Sequence, residues 1–249
     1  FTATTFSGAL AASNLTGALP AISGANLTGV AGTENIRTNT NATFLQNVNV
    51  GVAITAGKLG IGFTDNNIKV GNTALDSLTT GDNNTALGTN ALTANTTGDR
   101  NTAVGSQALD ANTTGGDNVA LGRQSLGENT TGSYNTAAGQ GSLASNTTAS
   151  YNAAFGTNAM NTNTTGASNT GIGNDALRGN TDGSHNTAVG NDALTANTSG
   201  NYNSAVGNTA LDANTTGDHN SAFGQTALGA NTTADNNSAF GSNALADNT

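Results

Sequence analysis

NTAVGNDALTANTSGNY occupies residues 186–202, and residues 203–219 continue with NSAVGNTALDANTTGDH. The two stretches share the same order of Asn, Ala, Gly and Leu, and no residue separates them. A fixed internal period is typical of repeat proteins, in which each copy packs mainly on its neighbours. The repetition therefore has to be explained before any other feature of the chain.

The seventeen-residue period runs without an insertion from Asn67 onward, in eleven copies that we call rungs. We number the leading asparagine of each rung as position 1. Position 4 is then apolar, position 5 is always Gly, position 9 is Leu except at Met160, and position 12 is Asn except at Leu78. The leading asparagines are Asn67, Asn84, Asn101, Asn118, Asn135, Asn152, Asn169, Asn186, Asn203, Asn220 and Asn237.

Composition argues against a conventional globular core. Of the 249 residues only 4% are aromatic and 8% are charged, and cysteine and tryptophan are absent. A disordered chain would not keep Gly, Leu and Asn in a fixed register, so we set disorder aside. No run of about 18 apolar residues exists, which argues against an ordinary membrane-spanning helix. Because the chain begins at Phe1 and ends within a repeat, we expect it to be a piece of a longer protein.

The charge is confined to the repeats. The whole net charge of −9 belongs to residues 67–249, because residues 1–66 carry two acids and two bases. An acidic rod cannot bind nucleic acid by neutralising phosphates, so we expect no nucleic-acid partner. The charge favours solubility and opposes lateral sticking.

The period predicts an all-β fold, a parallel β-solenoid with 17-residue rungs. Helical repeats need about 33–47 residues, which excludes them here. In the rung 186–202, positions 2–5 and 8–10 predict short strands. Gly at position 5 and the Asn-Thr-Thr-Gly segment predict the turns between them.

Stacking explains why the register is strict. Equivalent positions of adjacent rungs would lie about 4.8 Å apart, which gives a rod of about 50 Å. Each Asn of position 12 could then bond the copies above and below it. The predicted structural ladder comprises Gly88, Gly105, Gly190, Gly207, Leu92, Leu109, Leu194, Leu211, Asn95, Asn112, Asn197 and Asn214.

Each rung offers only about four apolar side chains, and thin cores usually need disulfides, metals or oligomerisation. Without cysteine or a repeated metal pattern, association of identical chains is the remaining route. The alanines of positions 3 and 8, such as Ala205 and Ala210, would permit close approach of another backbone. Whether these alanines or the Val and Leu side chains of position 4 face a neighbour stays open at this point.

The N-[TS]-A-[VLF]-G-x-x-A-L pattern over 67–249 resembles the head repeats of trimeric autotransporter adhesins and the repeats of bacteriophage tail fibres. The resemblance implies a homotrimer of β-rolls. The additional NTTG segment of each rung departs from the usual adhesin rung, which leaves the cross-section and handedness open. FTATTFSGALAASNLTGALPAISGANLTGVAGTENIRTNTNATF at the start of the chain is similar to connecting segments of phage tail fibres, so the resemblance favours the fibre.

The region before the repeats has its own pattern. NLTG at 14–17 and 26–29 flanks the only proline, which predicts an extended, turn-rich shaft over 1–43. Alternating apolar residues on both sides of TAGK predict a β-hairpin adaptor over 44–66.

Little in the repeats points to catalysis. No Ser/His/Asp set or carboxylate pair recurs at one level, so we expect no enzyme, no cofactor and no metal site. The acids Asp82, Asp99, Asp218 and Asp235 share position 16 but do not form a calcium-binding repeat. Position 17 is the most varied and most aromatic, and we expect it to form either a plain solvent-facing turn or a receptor-binding column that stacks on glycans. The candidates are Arg100, Tyr134, Tyr151, His185, Tyr202 and His219.

The resemblance predicts a structural segment of a phage tail fibre, a trimeric rod on the virion tail. Its partners would be other copies of itself, other tail proteins, and a glycan or protein receptor on the host surface, without membrane insertion. The alternatives are the head of a trimeric adhesin on a bacterial cell surface and, less favoured, an ice-binding solenoid with paired Thr columns. Asn-Thr-Thr also matches a glycosylation acceptor, whose use stays open.

Overall fold

The computed structural model describes residues 66–248. Every rung contributes one three-residue strand at positions 2–4, and the eleven strands form one parallel sheet in chain order. Pairing follows the sequence period, as when Thr187 pairs with Ser204 and Val189 with Val206. The predicted all-β parallel solenoid with one rung per repeat is thereby confirmed. The strands are β1 (Ile68–Val70), β2 (Thr85–Leu87), β3 (Thr102–Val104), β4 (Val119–Leu121), β5 (Thr136–Ala138), β6 (Ala153–Phe155), β7 (Thr170–Ile172), β8 (Thr187–Val189), β9 (Ser204–Val206), β10 (Ser221–Phe223) and β11 (Ser238–Phe240).

The predicted second strand at positions 8–10 is wrong, because those residues form turns. The N–H of Ala193 donates to the carbonyl oxygen of Gly190 at 3.5 Å, and the N–H of Asn197 donates to that of Leu194 at 3.2 Å. Leu194 has φ of 53°, which is left-handed and incompatible with an extended strand. Gly190, at φ 139°, already lies in the corner, so the first strand ends one residue earlier than predicted.

A narrow apolar core runs along the inside of each single chain. Ala188, Ala193 and Leu194 of one rung are fully buried, and equivalent residues stack above and below them. Side chains alternate along a strand, so the inward Ala of position 3 leaves positions 2 and 4 facing outward. The alanine columns of positions 3 and 8 therefore line the core of their own chain, and the side chains of position 4 lie outside.

Two asparagine ladders complete this core. Nδ2 of Asn197 donates to Oδ1 of Asn180 at 2.8 Å and to the carbonyl oxygen of Gly200 at 3.0 Å. Oδ1 of Asn186 accepts the backbone N–H of Asn203 at 2.9 Å, and its Nδ2 donates to the same Gly200 carbonyl at 2.7 Å. The amides of positions 1 and 12 thus close each rung on itself and join it to the next one. Buried amides with these partners do not incur the penalty of unsatisfied polar groups.

Backbone hydrogen bonds between rungs extend beyond the sheet. The N–H of Leu194 donates to the carbonyl oxygen of Ala210 at 3.0 Å, and the N–H of Thr198 donates to that of Thr215 at 2.8 Å. Turns and strands alike are therefore fixed to the adjacent rungs. An inserted residue would shift every one of these bonds, which explains the unbroken period.

The predicted shaft over 1–43 and hairpin over 44–66 lie outside the described residues, apart from Asn66. Within residues 66–248 there is no helix of the length and apolar character that crossing a membrane requires.

Candidate functional site

The residues of position 17 form a line along one edge of the rod, which we call the turn column. Each member after Asn66 lies in the turn between two rungs, Asn66 lies directly before the first rung, and all of them have a positive φ. All six residues predicted as surface-binding candidates lie in this column, one rung apart or separated by one other member. The turn column consists of Asn66, Asn83, Arg100, Asp117, Tyr134, Tyr151, Ser168, His185, Tyr202, His219 and Asn236.

The large side chains of the turn column occupy strained backbone. Tyr134, Tyr151 and Tyr202 have φ of 60°, 64° and 56°, and all three are exposed. Asparagine tolerates this region better than other side chains and fills it in the end rungs, as at Asn83 and Asn236. A left-handed residue with a bulky side chain costs roughly 1–2 kcal/mol. The exposed rings bury little surface to offset that cost, and the same conformation occurs at position 17 of every described rung.

The rings of the turn column stack along the rod axis in two groups. Tyr134 and Tyr151 have centroids 5.1 Å apart with an interplanar angle of 3°. Tyr202 lies between His185 and His219, with centroid distances of 4.8 and 4.9 Å and angles of 3° and 1°. Angles this small show that consecutive rungs hardly twist relative to each other. The column is therefore straight.

An ion pair joins the two members of the turn column that directly precede the first ring. Nε of Arg100 lies 2.6 Å from Oδ1 of Asp117, and Nη2 lies 2.9 Å from Oδ2, which is a bidentate arrangement. The hydrogen bond from Arg100 lowers the pKa of Asp117, and the same hydrogen bond raises the pKa of Arg100. Both side chains are solvent-accessible, so salt screens the pair and its contribution to stability is small.

We expect Arg100→Met to raise the pKa of Asp117 toward the ordinary value of about 3.9 without loosening the rod. In the native protein the lowered pKa means that the favourable charge is present above the unfolded-state pKa and is lost as the pH falls through the folded-state value. A carboxyl-carbon NMR titration of Asp117 in both proteins measures this difference. An unchanged titration midpoint in Arg100→Met would contradict the assignment of Arg100 as the cause.

Position 16, beside the turn column, forms a further ladder that sequence reasoning missed. Oδ1 of Asp235 accepts the backbone N–H of Asp218 at 2.7 Å, and Oδ1 of Asn201 accepts that of Ser184 at 2.9 Å. The same position holds Asp82, whose N–H donates to Oδ1 of Asp99 at 2.8 Å. Short side chains with an acceptor oxygen recur at position 16, and this recurrence could have predicted the ladder from the sequence. These acids serve the backbone of a neighbouring rung.

The threonines of position 13 also donate hydrogen bonds to the adjacent rung. Oγ1 of Thr198 donates to the carbonyl oxygen of Thr215 at 3.0 Å, and Oγ1 of Thr181 donates in the same way to Thr198 at 3.0 Å. Their hydroxyl protons therefore bond a carbonyl oxygen of the adjacent rung.

The asparagines of the Asn-Thr-Thr segments are buried, with their amides in the position-12 ladder. A glycan would have to attach to an Nδ2 atom that is buried and hydrogen-bonded, so modification is incompatible with the folded rod. The buried acceptor asparagines are Asn95, Asn112, Asn129, Asn146, Asn163, Asn197, Asn214 and Asn231.

A shallow depression of about 390 Å³ lies on another side of the rod. Gly127 and Gly141 form part of its lining, together with Asp110, Arg123 and Glu128. Burial raises the pKa of Asp110, and the charge of Glu128 raises it further, whereas backbone hydrogen bonds oppose the shift. The lining offers mixed charge and no nucleophile paired with a base.

A second surface feature is the line of position-4 side chains on the outer face of the sheet, which we call the apolar column. Leu87 is 46% exposed, Phe155 42% and Phe240 71%. Phe223 and Phe240 stack with centroids 5.0 Å apart. Positions 2 and 4 carry no charged residue in any rung, so an uncharged strip runs the length of the described solenoid. The column comprises Val70, Leu87, Val104, Leu121, Ala138, Phe155, Ile172, Val189, Val206, Phe223 and Phe240.

Among residues 66–248, no group of three or more His, Cys, Asp or Glu side chains lies in an arrangement that could hold a metal ion. Comparisons with protein-family models, with curated proteins and with solved structures find no match to this chain.

Proposed function

We propose that the chain is a non-enzymatic structural segment of a phage tail fibre, in which three copies associate into a rigid rod on the virion tail. The rod would connect to other tail proteins and present the turn column to a glycan or protein receptor on the host surface. The single observation that supports association most directly is the apolar column. The resemblance of the repeats to trimeric fibres and adhesins suggests that three copies associate, and residues 1–66 favour a phage fibre over an adhesin.

The size of the apolar column supports this proposal. Eleven strands at about 4.8 Å give a strip about 50 Å long and about 10 Å wide. Soluble monomers rarely expose a contiguous apolar patch larger than a few hundred Å². Half-exposed Leu, Val, Ile and Phe side chains in one line are typical of a surface that another chain covers.

The regularity of the apolar column supports a second copy as the occupant. Identical chains share the same rung spacing, so parallel copies can meet rung against rung along the whole length. The absence of charge at positions 2 and 4 removes the repulsion that the net charge of −9 would otherwise cause between copies. The acids project elsewhere, where they keep assembled rods apart.

The core of a single chain does not require association with other chains. Ala and Leu are buried within one chain, and both asparagine ladders are satisfied within it, apart from Oδ1 of Asn231 and Nδ2 of Asn237 near the end of the described residues. The argument that a thin core requires partners is therefore weaker than the argument from the exposed strip. Association through the apolar column adds buried surface to a rod that is already closed.

Native mass spectrometry of the full chain tests the proposal. We expect a species of three times the chain mass of 24.3 kDa. Phe155→Glu places a charge in the middle of the apolar column and is expected to shift the population to monomer. Thr165→Glu places the same charge on an exposed turn of the same rung and is expected to leave the trimer intact. A wild-type monomer at micromolar concentration would overturn the fibre proposal.

A further inference from the structure

One small residue interrupts the series of rings in the turn column. Ser168 lies between Tyr151 and His185, and each of these rings stacks on its other neighbour, Tyr134 or Tyr202. Two rung steps of about 4.8 Å place the ring centroids of Tyr151 and His185 roughly 10 Å apart. The column therefore contains a slot with one aromatic ring as each wall and Ser168 as its floor.

One wall of this slot, Tyr151, is more exposed than the other tyrosine rings of the turn column. Tyr151 is 63% exposed, compared with 53% for Tyr134 and 54% for Tyr202. Ring stacking covers one face of Tyr151, and its second face is turned toward the slot. The same holds for His185, which stacks on Tyr202 alone among the rings of the column. Two uncovered ring faces therefore face each other across one rung.

The width of the slot selects its occupant. A carbon contact on each wall takes about 3.5–4.0 Å. A centroid separation of roughly 10 Å therefore leaves room for one six-membered ring and not for two stacked rings. The side chains of the turn below do not fill this space, because Gly166, Ala167 and Ser168 are all small.

The rim of the slot is polar and uncharged. The turn of this rung, residues 164–168, carries only Thr, Gly, Ala and Ser. Among the described residues the hydroxyl of Ser168 has no hydrogen-bond partner. Oγ of Ser184, on the next rung, accepts the N–H of Ala167 at 3.0 Å. Apolar faces with a hydroxyl at the base suit a ring that is apolar on its faces and polar around its edge.

We propose that the slot between Tyr151 and His185 binds one pyranose ring of a glycan, sandwiched between the two aromatic faces. The inference rests on the proposed attachment role of the turn column and assigns that role to one site and one ligand class. A sandwich needs axial C–H groups on both faces of the sugar. A pyranose whose substituents are all equatorial leaves the axial C–H groups of both faces unobstructed, so the slot favours glucose-type over galactose-type rings, whose axial hydroxyl blocks one face.

Saturation-transfer-difference NMR with methyl β-glucopyranoside and methyl β-galactopyranoside tests the proposal on the full chain. We expect the glucoside to bind at least about fivefold more tightly than the galactoside, because the latter loses one ring contact. Ser168→Tyr fills the slot with a ring at a backbone angle that Tyr151 already adopts, and is expected to abolish binding. Asn236→Tyr adds a ring next to His219 at the same position and leaves the slot open, so it is expected to bind like the wild type.

The outcomes separate this inference from the fibre proposal. Binding that persists in Ser168→Tyr, or a folded wild-type chain that binds neither glycoside at tens of millimolar, would overturn the slot. Equal binding of both glycosides would overturn the sandwich. If the chain is a trimer that binds neither glycoside, the slot proposal is wrong and the fibre proposal is unaffected. If the chain is a monomer that binds the glucoside, the fibre proposal is wrong and the slot proposal is supported.

Discussion

Replacement of Gly190 by alanine is expected to separate the eighth and ninth rungs and to lower the free energy of unfolding by at least about 3 kcal/mol. A Cβ atom at residue 190 would lie 2.4 Å from the carbonyl oxygen of Gly207 and 2.6 Å from its carbonyl carbon. The φ of 139° is also one that L side chains rarely adopt. Gly207 cannot move away easily, because its N–H donates to the carbonyl oxygen of Val189 at 2.8 Å.

Gly127→Ala is the matched control for this variant. A Cβ at residue 127 would meet its nearest neighbour, the carbonyl oxygen of Gln124, at 3.4 Å, and Ala144 occupies the same position one rung later. We expect its unfolding midpoint to stay close to that of the wild type. Urea and thermal unfolding followed by circular dichroism measure both variants. Equal stability of Gly190→Ala and Gly127→Ala would contradict the close backbone contact between corners.

The stacking of the rungs could be predicted because the residue types that cause it recur in the sequence. A glycine that returns every seventeen residues marks a place where no side chain fits, as the contact between Gly190 and Gly207 shows. An asparagine at a fixed place indicates an amide that bonds its own copy in the next rung. Both requirements depend on residue type alone, so sequence is sufficient to find them.

The path of the chain within a rung could not be predicted in the same way. Leu194 follows Ala193 in a pattern that favours a strand, yet the residue at this position takes a left-handed conformation in every rung, with φ of 53° at Leu194. Leucine has no local preference for that region. Burial of its side chain inside the coil outweighs the local cost, and this is a tertiary effect that single-sequence patterns do not contain.

The hydrogen-bond partners of the leading asparagine could not be predicted from the sequence either. Asn186 and Asn197 recur with the same period, but the sequence does not show that both amides converge on one atom. In the structure the carbonyl oxygen of Gly200 accepts both Nδ2 groups, at 2.7 and 3.0 Å. That convergence depends on how tightly the NTTG-type turn closes, which the residue types alone do not determine.

For the turn column, the sequence identifies which residues share an edge but not how their rings are oriented. Stacking of Tyr202 between two histidines follows from the straight rise of the rod, which the ring angles of 1° and 3° demonstrate. In a twisted solenoid with the same sequence, the rings of adjacent rungs would not be parallel and would not stack. The slot above Ser168 exists only because the rod is straight.

The second large effect is expected for Asn197→Asp, which inserts an acceptor where the ladder needs a donor. Nδ2 of Asn197 donates to Oδ1 of Asn180 at 2.8 Å and to Gly200 at 3.0 Å, and its Oδ1 accepts Nδ2 of Asn214 at 2.9 Å. A carboxylate keeps only the last of these bonds and faces two oxygens without a proton between them. We expect the variant to lose about 3 kcal/mol or more of stability at pH 7.

The loss should be smaller in acid. Burial and the two facing oxygens raise the pKa of the new carboxyl above its unfolded-state value of about 3.9, so the folded chain binds the proton more tightly. Stability relative to the wild type is then greatest below that value and declines as the pH rises through the folded-state pKa. The protonated carboxyl donates one hydrogen bond and so restores part of the ladder.

Thermal unfolding of the variant and the wild type at pH 4 and pH 7 measures this dependence as a difference between the two proteins at each pH. Asn208→Asp supplies the same charge at an exposed position, where the amide reaches only the carbonyl oxygen of Asn191 at 3.2 Å. We expect that control to change stability little at either pH. A pH-independent deficit in Asn197→Asp would contradict the raised folded-state pKa, because stability depends on pH only when the pKa of the carboxyl differs between the folded and the unfolded chain.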